Sequence, residues 1–420
     1  MTKSEYMKIL QEKLQRYNVA VEREILEDYE QHFAEGLAQG RTEEEIIKEL
    51  GNIEDMLQEF SEEDLKQELE TVEMQASQSN SYERLYRKVV IDGLLANVEV
   101  CDSGDTQLRI DYENRGSKAQ KLRYYFYQYE KDGVFYAGVK DRKGIDMGND
   151  ILKGLFSHAS WSCDEIDLRI EIPAGIPAIQ LQTASGDMNI ERIQTGELET
   201  QCSSGDLHIE GVVCEKLRAK TASGDLEISG IHLDAQKNTQ VDLHTTSGDV
   251  NITDVSASHM YVQTGSGDTE AGRVQTGYLK MQTGSGELEL ENVQSDRIHL
   301  GTGSGDVDGR DIRGKELTVG TGSGEVALRA DMETYEVKTG SGDIDLGVGA
   351  AARQIRMVAG SGDICLKLGK IEGASIETHT ASGDVTLRGN RISGFKSSCS
   401  FGSGACQVKI VTGSGDISVR

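Results

Sequence analysis

One tripeptide recurs through most of the chain: Ser-Gly followed by Asp or Glu. Its serines stand at Ser185, Ser204, Ser223, Ser247, Ser266, Ser285, Ser304, Ser323, Ser341, Ser361, Ser382 and Ser414, and nineteen residues is the commonest spacing. Self-similarity at a fixed period of about 20 residues predicts a solenoid or an array, because each short unit must stack on its neighbours to bury a core.

The flanks say which kind. Six and four residues before each Ser the chain is mostly apolar, as at Leu198, Leu217, Val241/Leu243, Met260/Val262, Ile298/Leu300, Leu317/Val319 and Ile355/Met357. Two residues before it, Thr stands in ten of the twelve copies. Three and five residues after it come pairs such as Leu207/Ile209, Leu226/Ile228, Val250/Ile252 and Ile344/Leu346. A period of two means strands. An apolar residue eight after Ser (Ile193, Val212, Ile231, Val255, Val274, Val293, Ile312) adds a third inward point. The Gly after Ser is expected to supply the unusual backbone angles of a tight corner. The predicted fold is therefore mainly β: a parallel β-solenoid of about 12 coils with a period of about 19, preceded by a small N-terminal all-α bundle. At about 4.8 Å per coil, the stack would be on the order of 55–60 Å long.

The expected domains are an acidic helical bundle over 1–75, a polar linker over 76–84, a β capping region with an aromatic hairpin over 85–175, and the repeats over 176–420. In the first, Thr2 with Glu5 and Thr42 with Glu45 read as capping boxes. Tyr6, Ile9/Leu10 and Leu14, then Ile25/Leu26, Tyr29, Phe33 and Leu37, have helical spacing. Tyr29 and Phe33 are expected in the core, while Glu43, Glu44 and Glu49 are candidate partner-binding residues facing outward. Further helical patterns run through Ile53, Met56/Leu57 and Phe60, then Leu65, Leu69 and Val72. Seven aromatics lie within residues 124–136. They read as a hydrophobic cap over the first coil, or as a binding patch. Asp132-Gly133 between strand patterns is a hairpin signal, and residues 141–163 read as a long loop.

Charge narrows the partners. The chain carries a formal −27, which argues against nucleic acid or anionic membrane held by bulk electrostatics. Residues 1–75 hold 8 Lys and Arg against 21 Asp and Glu, a net −13. No signal-peptide core and no apolar run of membrane-spanning length appears. The expected location is cytoplasmic, with the cell surface as the alternative. The seven Cys are scattered without zinc or redox spacing, and read as reduced structural thiols.

Chemistry is harder to find. The corners with their carboxylates, represented by Ser185-Gly186-Asp187, Ser204-Gly205-Asp206, Ser223-Gly224-Asp225, Ser285-Gly286-Glu287, Ser304-Gly305-Asp306 and Ser361-Gly362-Asp363, should form a ladder up one edge. One carboxylate per coil, with Glu replacing Asp at two positions, suits short acids that bond nearby amides and face water. It does not suit calcium, which takes six to eight oxygens. The eight His recur at no fixed place in the repeat. No nucleophile elbow, phosphate loop or metal motif is present. The expectation is no catalytic residue, no metal, no cofactor and no enzymatic activity.

Two stretches resemble known families. Glu22–Phe60, through Glu24–His32 and Gly40–Gly51, resembles the HAAS signalling domain, a helical module that commonly travels with PadR-type transcriptional regulators. That resemblance implies a protein partner. From about residue 85 to 420, IEIPAG leading into repeated TxSGD units is similar to the bacterial "putative adhesin" solenoid family of unknown function, which implies a β-solenoid. Three readings follow. They are a cytoplasmic sensor or scaffold, a cell-envelope binding protein and, weakest, a glycan-active enzyme on a concave face. The ligand, the oligomeric state and the handedness stay open.

Overall fold

The computed structural model describes residues 2–14, 26, 29, 30, 33, 37, 41–50, 53, 77–82, 86–141, 165–234, 237–392 and 396–420. The chain falls into two compact units. One joins Met1–Ser79, Asp111–Tyr127 and Val139–Asp167; the other joins Asn80–Ile110, Gln128–Gly138 and Leu168–Arg420.

The first unit contains helices Lys3–Leu14 and Glu43–Leu50. Both capping boxes form. The Thr2 N–H donates to Glu5 Oε2 at 2.9 Å and the Glu5 N–H to Thr2 Oγ1 at 3.3 Å, and Thr42 and Glu45 repeat the pattern. These bonds use amides that a helix start leaves unpaired. They hold both glutamates below the usual carboxylate range. Tyr6, Leu10, Tyr29, Phe33, Ile46 and Ile53 form a buried cluster. The helical patterns beyond Ile53 and the loop expected at 141–163 lie outside the described residues. This unit also holds the short helix Lys118–Arg123, started by a third capping box at Ser117 and Gln120. The linker expectation is corrected: Ser77–Tyr82 is a strand, paired with Leu108–Asn114. Its Ser, Gln and Asn side chains carry no apolar signal, so pairing, not burial, defines it.

The second unit is a stack of strands, each parallel to its counterpart in the adjacent coil. Strand Thr195–Cys202 lies between Ile176–Thr183 and Lys216–Thr221, with Leu198 opposite both Ile179 and Leu217. The same register runs on through Met260–Leu279–Ile298–Leu317. Inward residues are almost wholly buried, Leu290, Met281, Leu300 and Ile228 among them. Asp132 and Gly133 both have positive φ and make the tight turn between strands Tyr124–Lys131 and Val134–Asp141. Beside that turn the Tyr129 and Tyr136 rings stack with centroids 4.8 Å apart, and Tyr129 is exposed.

At both ends the coils do not follow chain order. Strand Lys88–Asp92 sits between Ile176–Thr183 and Val134–Asp141. At the other end, the C-terminal strand Cys406–Ser414 pairs in parallel with Gln354–Ser361 on one side and Ala374–Ser382 on the other. The last coil is thus inside the stack, and the earlier coil covers it. Antiparallel strand Lys396–Phe401 then closes the open edge of Ala374–Ser382. An exposed flat edge would template aggregation, and the reversal of strand direction blunts it.

Interleaving makes the C-terminus structural. Deleting residues 405–420 should lower the thermal midpoint and raise binding of a hydrophobic dye, because it unpairs apolar coils on two sides. A truncated protein that melts like the full chain would contradict this order.

Candidate functional site

The repeated corner is built by contact between backbones. At Gly286 a Cβ would lie 1.9 Å from the Gly267 carbonyl oxygen of the adjacent coil. The same clash would occur at Gly186 against Ala96, at Gly205 against Gly186, at Gly224 against Gly205, at Gly305 against Gly286 and at Gly362 against Gly342. The expectation of unusual backbone angles is therefore corrected at most corners. Among the twelve repeat corners, the Gly after Ser has positive φ at Gly362, Gly383 and Gly415. Elsewhere Gly is required because nothing larger fits between stacked corners.

The Thr two residues before Ser ties the corner together. Thr283 Oγ1 accepts from the Gly286 N–H at 3.0 Å and donates to the Gly267 carbonyl at 3.1 Å. Thr221, Thr245, Thr264, Thr302, Thr321 and Thr339 do the same in their coils. Cys202 takes this role through Sγ, 3.0 Å from the Gly205 nitrogen and 3.4 Å from the Gly186 oxygen. Burial pushes its thiol up. At the coil with Ala359 in the Thr place the Gly362 N–H donates to the Ser414 carbonyl at 2.8 Å, and the Gly415 N–H donates likewise to the Ser382 carbonyl at 2.9 Å although Thr412 is present.

The acids form a ladder between coils, not within a corner. The Asp206 N–H donates to Asp187 Oδ1 at 2.9 Å, Asp225 to Asp206 at 2.8 Å, Asp268 to Asp249 at 2.8 Å and Glu287 to Asp268 at 2.8 Å. Asn97 starts it by accepting from the Asp187 N–H at 3.1 Å. At the far end the order is Asp343, Asp363, Asp416, Asp384, following the interleaved coils. Two rungs are missing among the described residues: no such bond joins Glu287 to the Asp306 N–H or Glu325 to the Asp343 N–H. One extra methylene carries the carboxylate past the amide. Asp306, by contrast, accepts from the Glu325 N–H at 2.7 Å.

A second corner lies seven residues after Ser. Arg192, Asp254, Arg273, Asn292 and Asp311 have φ of 52 to 59° there, and Gly211 and Gly230 have 64° and 62°. This left-handed position precedes the third inward residue and turns the chain onto the third side of the coil.

The outward faces differ in charge. On the side just before the Ser-Gly corner, in-register strands place Arg218, Asp242, Tyr261, Lys280 and His299 in one row. Lys216, Gln240, His259, Tyr278 and Arg297 form a second row, and Lys220, His244, Gln263 and Gln282 a third. Five coils thus present five Lys or Arg and three His against one acid, Asp242. The aromatic rings meet at the centre. Tyr261 and Tyr278 have centroids 5.6 Å apart, His259 lies 6.5 and 6.4 Å from them, and the Arg297 guanidinium sits 5.5 Å from the Tyr278 ring. Burial, then Lys280, holds the His299 imidazole below its ordinary range. Arg218 lies 3.7 Å from Glu199 and from Asp242. Lys216, Lys220, Lys280 and Arg297 make no ion pair among the described residues. A shallow groove runs between Arg218, Lys220, His244, Tyr261 and Lys280.

On the side after the corner, Glu227, Asn251, Glu270, Glu289 and Asp308 stand in one in-register row, and Glu191 and Glu210 in the row beside it. Burial, then Asp306 and Glu289, raises the Asp308 carboxyl. No group of three or more His, Cys, Asp or Glu placed to hold a metal occurs among the described residues.

The site residues expected from sequence divide accordingly. The six representative corners all lie on the ladder edge, with Asp187, Asp206, Asp225, Asp306 and Asp363 as acceptors. Glu43 is half-buried, and its Oε2 accepts from the Lys3 N–H at 2.8 Å. It therefore serves the helix start, whereas Glu44 is exposed. The Glu49 side chain lies outside the described residues. Sequence reasoning passed over the cationic aromatic face. Its signal was present: His244, His259 and His299 all occupy outward positions three, seven and five residues before Ser.

Stacked coils with a glycine corner and two unlike faces define a β-repeat protein of the solenoid class. The chain belongs to the Toastrack DUF4097 family, which matches residues 86–271 and again 254–420. Residues 5–59 match the HAAS family. Among solved structures, a putative cell adhesion protein from Clostridium sporogenes is 11% identical, with 82% of this chain and 98% of that chain covered and a TM-score of 0.22. A putative adhesin from Parabacteroides merdae is 11% identical over 67% and 95%, with a TM-score of 0.36. A putative lipid binding protein from Parabacteroides distasonis is 14% identical over 82% and 96%, with a TM-score of 0.28. A search among curated proteins gave no match.

Two substitutions test the corner. Gly286→Ala should cost about 3 kcal/mol or more, because backbone must move to admit the methyl. Gly320→Ala, with open space around it, should stay within about 0.5 kcal/mol of wild type. Equal melting of the two variants would refute the close-approach role. Separately, Glu287→Asp should restore the missing rung and stabilise by about 1 kcal/mol, read by denaturant titration; a destabilised variant would show that carboxylate crowding outweighs the bond.

Proposed function

We propose that this protein is a non-enzymatic sensor or scaffold. The N-terminal 75 residues form an all-α bundle that docks a protein partner, a PadR-type regulator in the cytoplasm. About twelve coils of roughly 19 residues form the binding or signal-receiving rod. The observation that carries the reading is the HAAS match over residues 5–59 in the same chain as the Toastrack stack. The net −13 of residues 1–75 supports it by steering a basic partner at long range. No described helix is long and apolar enough to cross a membrane. The alternative, an adhesin-like cell-envelope binding protein, would use the same stack outside the membrane; protease shaving of intact cells separates the two.

The test is affinity capture of the tagged full chain from its native cells, with Glu44→Lys as the comparison. Wild type should recover a transcriptional regulator, and the variant should recover at least about tenfold less while melting normally. Capture of no regulator by wild type, or equal capture by both, would overturn the assignment.

A further inference from the structure

We propose that the cationic aromatic face binds an acidic polysaccharide, a chain of sugars carrying carboxylates at intervals. The inference rests on the reading of the stack as a binding rod and names what the rod holds.

Three features point to this chemistry. First, the aromatic centre offers ring faces: Tyr261 and Tyr278 are half-buried, tilted 53° to each other, with His259 lying nearly parallel to Tyr261 at 5°. Rings fixed in this way present apolar area at little entropic cost, and the C–H-rich face of a sugar packs on such a surface. Second, cations flank that centre on both sides along the stack. Lys216, Arg218 and Lys220 lie on one side and Lys280 and Arg297 on the other. Lys220 and the Lys280 coil are separated by three coil steps, on the order of 14 Å. Carboxylates spread along a chain can meet both groups, each as a charge-assisted bond. Third, Gln263 and Gln282 stand between the charges as combined donors and acceptors, which suits hydroxyl groups, whereas the Gln240 amide already donates to Asp242 at 2.9 Å.

The surroundings select the density of ligand charge. The face lies in a chain of net −27. Glu197 and Glu199 border it on one side and Glu316 on the other. Duplex nucleic acid, with one charge per about 1.7 Å of axis, is repelled by these borders over its whole length. A polymer with one carboxylate per sugar or fewer places less charge beside them than a duplex does and gains the same central contacts. Single-stranded nucleic acid would also use stacking and cations, and is the competing outcome.

The experiment uses the purified full chain at roughly physiological ionic strength, where distant surface charges are screened. Probes are polygalacturonate, its fully methyl-esterified form and an oligothymidylate. Polygalacturonate should bind, and esterification should weaken binding at least about tenfold. Lys280→Glu and, on the other flank, Lys220→Glu should each reduce it by about tenfold, and Tyr261→Ala by about fivefold or more. Lys370→Glu, exposed and without an ion pair, should leave it unchanged. Thermal melts identify any variant that fails to fold, and the two flanks then test each other. No binding of polygalacturonate, equal binding of its ester, tighter binding of oligothymidylate, or indifference to all three face variants would overturn the proposal. No regulator is present in this assay. Failure here with intact regulator capture removes only the ligand assignment, and the reverse result removes only the docking role.

Discussion

The structure depends on how closely one corner can sit on the next. A glycine in each coil faces the carbonyl of the glycine in the adjacent coil, with no room for a methyl between them. That approach brings the Thr hydroxyl within bonding distance of both coils and sets each Asp carboxylate beside the next amide. The hydrogen bonds would be out of reach if the backbones stood further apart. Burial of the Leu, Ile and Val rows supplies the bulk driving force, but it tolerates small shifts in register. The corner does not.

Because one edge is fixed so strictly, the other faces are free to vary. Outward residues repeat their position from coil to coil but not their identity, which is how a repeat acquires distinct surfaces. Five central coils carry bases and rings on one side and acids on the next. The ladder also accounts for the Glu substitutions. Glu287 and Glu325 accept no amide from the next coil, yet their own N–H groups still donate to Asp268 and Asp306. Each of the two interruptions is confined to one rung, and the Thr–Gly bonds on either side persist.

The ends show a different solution to stacking. A solenoid whose last coil is simply its last residues ends in an open edge. Here the C-terminal coil is enclosed, and strands that run antiparallel, Asn390–Ile392 and Lys396–Phe401, cover the coil outside it. The ladder ends at Asp384, whose N–H donates to Asp416 Oδ1 at 2.7 Å while its own carboxylate pairs with Arg391.

Much of this was legible in the sequence, for reasons that can be named. The stack, its inward rows and the position of the Thr follow from period-two apolar spacing locked to Ser-Gly, since a strand's side chains must alternate. The capping boxes at Thr2 and Thr42 were readable because they are local. What tertiary structure alone decided involves residues far apart in the chain. The role of glycine depends on a carbonyl nineteen positions away, so its intrinsic freedom pointed to angles where space was the true constraint. Asn97 joins the ladder without any Ser-Gly before it, and Ser77–Tyr82 becomes a strand through a partner that its own composition does not announce. The order Asp363, Asp416, Asp384 cannot be read along the chain, because each coil carries the same pairing signal and the sequence does not say which copy lies next to which. The cationic aromatic face arises the same way: Lys220, Tyr261, Lys280 and His299 are unremarkable singly, and only parallel register at a fixed rise gathers them on one surface.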